Sequence, residues 1–154
     1  MKIIKRLSLL ALAFTITAAG LVLFLWFKPH RNVQAGKVFA EIKARDLVNE
    51  FTADAAKANA KYLAADGNSR ILIVAGRINK ITVNQNGEKV ITLKERDEKA
   101  GVNATLTQKA GENTGNIKIG DIIKIKGAIT AGNSYDTDLD LYEDAVLVEC
   151  AIVE

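Results

Sequence analysis

The stretch Ile117-Lys-Ile-Gly-Asp-Ile-Ile-Lys-Ile-Lys-Gly-Ala-Ile129 constrains the fold of this chain more than any other. Gly120-Asp121 reads as a tight turn, because glycine accepts positive φ and aspartate bonds its own downstream backbone. After the turn, Ile123, Ile125 and Ile129 fall on one face of a strand and Lys124 and Lys126 on the other. That is the period of two of a half-buried strand. Gly127 interrupts it, as small barrels require where a strand bends or another backbone comes close. A turn, an alternating strand and a closing glycine near the end of the chain predict a small barrel.

The preceding residues supply the other strands. From Arg70 to Val83, Leu72, Val74 and Ile78 alternate, and Ile81 and Val83 continue out of phase by one. The slip predicts a bulge near Asn79-Lys80, so that one bent strand serves both halves of the barrel. Asn84-Gln-Asn-Gly87 is a hairpin signal, and Lys89–Lys94 and Val102–Thr107 are the next two alternating strands. Thr107–Gly120 is polar and glycine-rich and predicts no helix. After the strand over Asp121–Thr130 and a turn over Ala131–Tyr135, Leu139–Leu141 joins Ala145–Val153 in a fifth strand, bulged around Glu143-Asp144. Five strands with the first long and bent are what an OB-fold requires. Ahead of them, Leu47, Phe51, Ala55, Ala58 and Tyr62 form one apolar stripe, predicting a packing helix from Arg45 to Leu63. Val38–Ile42 fits either an extended segment or the first turns of a helix.

The N-terminus adds a different element. Leu7–Phe27 is 21 residues without a charge, which at about 1.5 Å per residue spans roughly 30 Å, a hydrocarbon core. Ala18-Ala19-Gly20 offers a signal-peptidase site, but the apolar run continues through Phe27, beyond a cleavable h-region. A retained anchor is therefore expected, and with no cysteine directly following the run a lipoprotein anchor is excluded. Lys2, Lys5 and Arg6 precede the run, which favours an N-terminus inside and the remainder exported. Residues 28–154 then hold 18 Lys and Arg against 18 Asp and Glu, so the basic pI near 9 belongs to the N-terminus and signals no polyanion partner. The expected fold class is mainly β: an N-terminal transmembrane helix, then a packing α-helix and a five-stranded OB-fold barrel. The expected segments are a basic N-terminus (1–6), an anchor (7–27), a linker (28–37), an extended segment with the packing helix (38–69) and the barrel (70–154). The expected location is a bacterial inner membrane, single-pass, with the C-terminal domain periplasmic.

Several pieces recur in a known order: Ala44-Arg-Asp-Leu-Val-Asn-Glu-Phe51, Ala58-Asn-Ala-Lys-Tyr-Leu63, the apolar strand into Gly76, Gly120-Asp-Ile-Ile-Lys-Ile-Lys-Gly127, and Asp138-Leu-Asp-Leu141. Over roughly residues 38–153 the sequence resembles the tRNA anticodon-binding-like (tRNA_anti-like) group of small bacterial OB-fold proteins. The resemblance implies an OB-fold preceded by a helix, often behind an N-terminal apolar segment. The group is named for its fold, so tRNA binding is not implied.

Catalytic chemistry has little to build on. The sole histidine, His30, follows the anchor, and the sole cysteine, Cys150, lies in an apolar run where it packs as a small hydrophobe. Asp136, Asp138 and Asp140 alternate and define the wet face of a strand. They lack the glycine and the bidentate glutamate of an EF-hand loop. No phosphate cradle or paired-acid motif is present, so no enzyme, metal site or cofactor is expected. OB-folds bind single strands by stacking bases on aromatics in a basic groove. Residues 70–154 hold only Tyr135 and Tyr142, both outside the second and third strands, and 11 Lys and Arg against 13 Asp and Glu, so nucleic acid is not expected. With Ile91, Leu93, Val102, Ala104 and Leu106 inside, the outward set on the usual ligand face is Thr92, Lys94, Asn103 and Thr105, flanked by Arg77 and Asn79. That polar surface suits a peptide or sugar, giving an envelope protein or glycan as the expected partner and single-stranded nucleic acid as the alternative.

Overall fold

The computed structural model describes residues 31–115 and 117–153. The chain runs β1 (Ala40–Lys43), α1 (Ala44–Ala53), α2 (Ala55–Tyr62), β2 (Ile71–Val83), β3 (Lys89–Leu93), β4 (Val102–Leu106), α3 (Gln108–Glu112), β5 (Ile122–Ala131), β6 (Ser134–Asp136), β7 (Leu141–Glu143) and β8 (Ala145–Val153). The bent first strand of the barrel is β2. Its residues Ile71–Arg77 pair antiparallel with β5, and Ile78–Val83 pair antiparallel with β3. The register skips between Ile78 and Lys80, leaving Asn79 as the extra residue where the slip in phase puts it. β4 pairs with β3 and, in parallel, with β8, while β8 pairs with β5. The circuit β2-β3-β4-β8-β5-β2 is closed, the arrangement of a five-stranded OB-fold barrel.

Alternation fills the barrel. Leu72, Val74, Ile78, Ile91, Leu93, Val102, Leu106, Ile125, Ile129, Leu147 and Cys150 are buried in one cluster, and burying each aliphatic side chain is worth about 1.5–3 kcal/mol. Burial pushes the Cys150 thiol well above its ordinary value, as for an inert core thiol. Gly127 is the point of close approach. A Cβ there would overlap Sγ of Cys150 and lie 3.2 Å from the Val148 carbonyl oxygen. Beside it β8 bulges at Glu149, which takes a left-handed φ of 52°, where the register with both β4 and β5 skips.

Outside the barrel, β1 pairs in parallel with β2 from Ala40↔Leu72 to Lys43↔Ala75, so the ambiguous Val38–Ile42 segment is extended in its second half. The single helix expected over Arg45–Leu63 is two helices. Asp54, at φ −156° and ψ 90°, ends α1, and its carboxylate accepts the Lys57 backbone N–H at 3.0 Å to start α2. The aspartate N-cap outcompetes the continuous stripe, because it satisfies a donor that the first helical turn otherwise leaves bare. Leu47, Val48, Phe51, Ala58 and Tyr62 are buried in the same cluster as the barrel interior, and only Ala55 of the predicted stripe is exposed. The Tyr62 hydroxyl and Lys61 ammonium both donate to Glu50, closing the helix pair.

Two other expectations are corrected. Thr107–Gly120 does contain a helix, the short α3, whose start is capped by the Thr107 hydroxyl accepting from Ala110 N–H at 3.2 Å. Five residues are too few to show a period. Leu139–Leu141 does not belong to the fifth strand. β6 and β7 form a separate two-stranded hairpin, with Tyr135 opposite Tyr142. Asp136 accepts the N–H groups of Asp138 (2.8 Å) and Leu139 (3.0 Å), and Asp140 turns the chain at φ 49°, so these aspartates build a turn. The described part of the segment expected as a linker, 28–37, lies against the barrel wall. Val33 is 3% exposed against Ile71, Ala128 and Val148, and Lys126 Nζ donates to the carbonyls of Gln34 (2.7 Å) and Gly36 (2.9 Å). Among the described residues no helix is long and apolar enough to cross a membrane. The expected anchor, 7–27, and His30 lie outside the described residues.

Candidate functional site

The ligand face of an OB-fold is set by parity along its second and third strands, here β3 and β4. Ile91, Leu93, Val102, Ala104 and Leu106 are all fully buried. Their neighbours Val90, Thr92, Asn103 and Thr105 therefore stand outside, half-buried. Cross-strand register assembles them into rows. Lys80, Thr92, Asn103 and Val146 form one, and Thr82, Val90 and Thr105 the next. The Thr92 hydroxyl donates to Asn103 Oδ1 at 2.7 Å. This fixes the orientation of the amide and leaves its N–H groups directed elsewhere. The surface offers hydroxyls, an amide and an ammonium at one edge, a set suited to hydrogen-bonded recognition.

The other predicted residues go to a second place. Lys94 follows Thr92 out of β3, and its backbone N–H donates to the Arg77 carbonyl at 3.0 Å. Here the edge of β2 passes from β1, ending at Lys43 opposite Ala75, to the end of β3. A cleft of about 510 Å³ opens between this rim and the start of α1, lined by Lys43, Arg45, Arg77 and Lys94 among others. Arg77 Nε pairs with Glu95 at 3.1 Å and its Nη1 donates to the Gly120 carbonyl at 2.7 Å, tying the cleft to the turn before β5. Arg45 pairs with Glu98 at 2.6 Å and Asp97 at 3.0 Å. These two carboxylates, the Glu98 hydrogen bond first, hold its guanidinium above its ordinary value. Lys94 Nζ donates to the Lys99 carbonyl at 2.9 Å.

The six predicted residues thus divide. Thr92, Asn103 and Thr105 share the β3–β4 face, Arg77 and Lys94 share the cleft, and Asn79 stands exposed at the β2 bulge. Sequence reasoning missed Lys80, which the bulge brings opposite Thr92, and the cleft partners Lys43, Arg45, Glu95 and Glu98. The acidic loop Glu95-Arg-Asp-Glu98 was the one available signal for the cleft. Tyr135 and Tyr142 pack on each other in the β6–β7 hairpin, ring centroids 4.7 Å apart. Among the described residues no group of three or more His, Cys, Asp or Glu is placed to hold a metal ion.

A family model described as tRNA_anti-like matches residues 1–141, ending before β8. No curated protein matches the chain.

Proposed function

The chain belongs to the tRNA_anti-like family, and on that premise we propose a membrane-tethered OB-fold interaction module that performs no catalysis. Residues 7–27 serve as the tether, and an envelope protein or glycan is held on the β3–β4 face. The observation that carries this reading is the Thr92–Asn103 pair, with Lys80 beside it in its row and Thr105 in the next. An oriented amide whose N–H groups face outward recognises peptide carbonyls or sugar hydroxyls, and OB-fold faces of this position bind oligosaccharides as well as oligonucleotides. The tether reading rests on the uncharged run of 21 residues over 7–27 and the basic residues ahead of it.

A second reading, single-stranded nucleic acid, is favoured by the barrel itself, since OB-folds bind oligonucleotides on this face. Base stacking on an aromatic contributes about 1–3 kcal/mol per base, and the β3–β4 face has no aromatic to supply it. Salt dependence separates the two, because phosphate contacts release counterions. The full chain titrated with labelled single-stranded oligonucleotides should bind weakly at about 50 mM salt and lose little more by about 200 mM. Tight binding that falls by about a thousandfold or more over that range would replace the proposal with the second reading.

A further inference from the structure

We propose that the cleft between α1 and the rim of β2 is a second binding site, for the free carboxylate end of a short peptide terminating in an apolar residue. Its volume, about 510 Å³, lies within the range of small-ligand sites. Its floor is Ala44, Ala75 and Gly76, methyl groups and bare backbone. Gly76 is held so close to Leu93 and Ala44 that a Cβ would sit 3.0 and 3.1 Å from theirs. One wall is Ile122, a large apolar side chain that the fold leaves 68% exposed. An apolar side chain laid against Ile122 and the alanines is removed from water together with them.

The charges select the other end of the ligand. Four cationic residues, Lys43, Arg45, Arg77 and Lys94, line it with three acidic ones, Asp46, Glu95 and Glu98, and Asp97 pairs with Arg45 from outside the lining. Glu95 and Glu98 are taken by Arg77 and Arg45. Neither Lys43 nor Lys94 has a carboxylate partner among the described residues, and the Lys94 ammonium meets only a carbonyl. One carboxylate set between these two ammoniums accepts charge-assisted hydrogen bonds from both. A phosphate dianion, or a run of phosphates, brings further negative charge toward Asp46, Glu95 and Glu98, where like charges repel. The main chain of the ligand has its own track. The cleft lies at the C-terminal end of β1, and among the described residues β1 is the outer strand of the six-stranded sheet, with β2 as its one strand neighbour. A peptide running parallel to β1 can pair with its open edge and deliver its C-terminus to Lys43 and Lys94, which is strand addition joined to carboxylate capture. This site is separate from the β3–β4 face and stands or falls without it.

The test is fluorescence anisotropy on the full chain in detergent. The probe is an N-terminally labelled pentapeptide of alternating glycine and alanine ending in leucine, with a free carboxylate or with a C-terminal amide. The acid should bind at least about tenfold more tightly than the amide, the lower range for a hydrogen bond to a charged group. Lys43→Gln with Lys94→Gln should remove that difference and leave amide binding unchanged, whereas Ile122→Ser should weaken acid and amide alike. Acetate should displace the acid peptide better than inorganic phosphate. Equal binding of acid and amide to the unsubstituted protein, binding of neither, or stronger displacement by phosphate would overturn the proposal. The acid–amide comparison needs no variant, so a variant that fails to fold does not shield it.

Discussion

Phe51→Ala should cost about 3–5 kcal/mol and bring down the barrel and the helix pair in a single transition. Phe51 is buried, stacks on Tyr62 at 5.9 Å between ring centroids, and lies against Gly132, where an added Cβ would overlap its ring. Removing the ring leaves a cavity on two sides at once, which places the loss in the range for large aromatic deletions in cores. The transition should be single because α1, α2 and the barrel strands share one buried cluster, so no boundary exists along which they can separate. Denaturant unfolding followed by far-UV circular dichroism and by a barrel-specific probe checks both halves. Coincident curves with a lowered midpoint are expected. Two separated curves would make the helices an appendage to an independent barrel.

The second large effect is at the barrel seam. Gly127→Val should destabilise by more than about 3 kcal/mol, beyond the ordinary cost of overpacking. The Cβ would overlap Cys150 Sγ and press on the Val148 carbonyl, and backbone cannot swing away as a flexible side chain does. Cys150→Ala removes the sulfur but not the carbonyl. Combined with Gly127→Val it should recover part of the loss, a coupling that a double-mutant cycle measures. A Gly127→Val protein with an unchanged unfolding midpoint would mean that β5 and β8 do not meet as described.

Periodicity carried most of the barrel. The phase slip after Ile78 located the β2 bulge to the pair Asn79-Lys80, because a change of face is written directly in which positions are apolar. Gly127 was legible for a similar reason, since glycine inside an alternating strand marks a close approach. What escaped were features decided by a single side chain against the pattern. Asp54 breaks one helix into two with one carboxylate, Thr107 starts a five-residue helix, and Asp136 folds a turn out of an alternating stretch. Each is a local polar bond that overrides periodicity. The candidate site followed the same division. Thr92, Asn103 and Thr105 follow from strand parity, whereas the cleft joins residues from β1, α1, β2 and the loop after β3, a juxtaposition that only the parallel β1–β2 pairing creates. Val33 was hidden in a short polar stretch, where one buried valine has no period to betray it.

The partner proposed for the β3–β4 face is an envelope protein or glycan. A photoreactive amino acid at Asn103, irradiated in intact native membranes, tests it most directly, because Asn103 lies in the middle of that face with its backbone fixed between β3 and β8. One reproducible protein or glycan adduct, absent when the same group is placed at the exposed Lys57 of α2, is the predicted result. Adducts that disappear on nuclease treatment, or an identical pattern from both positions, would contradict it.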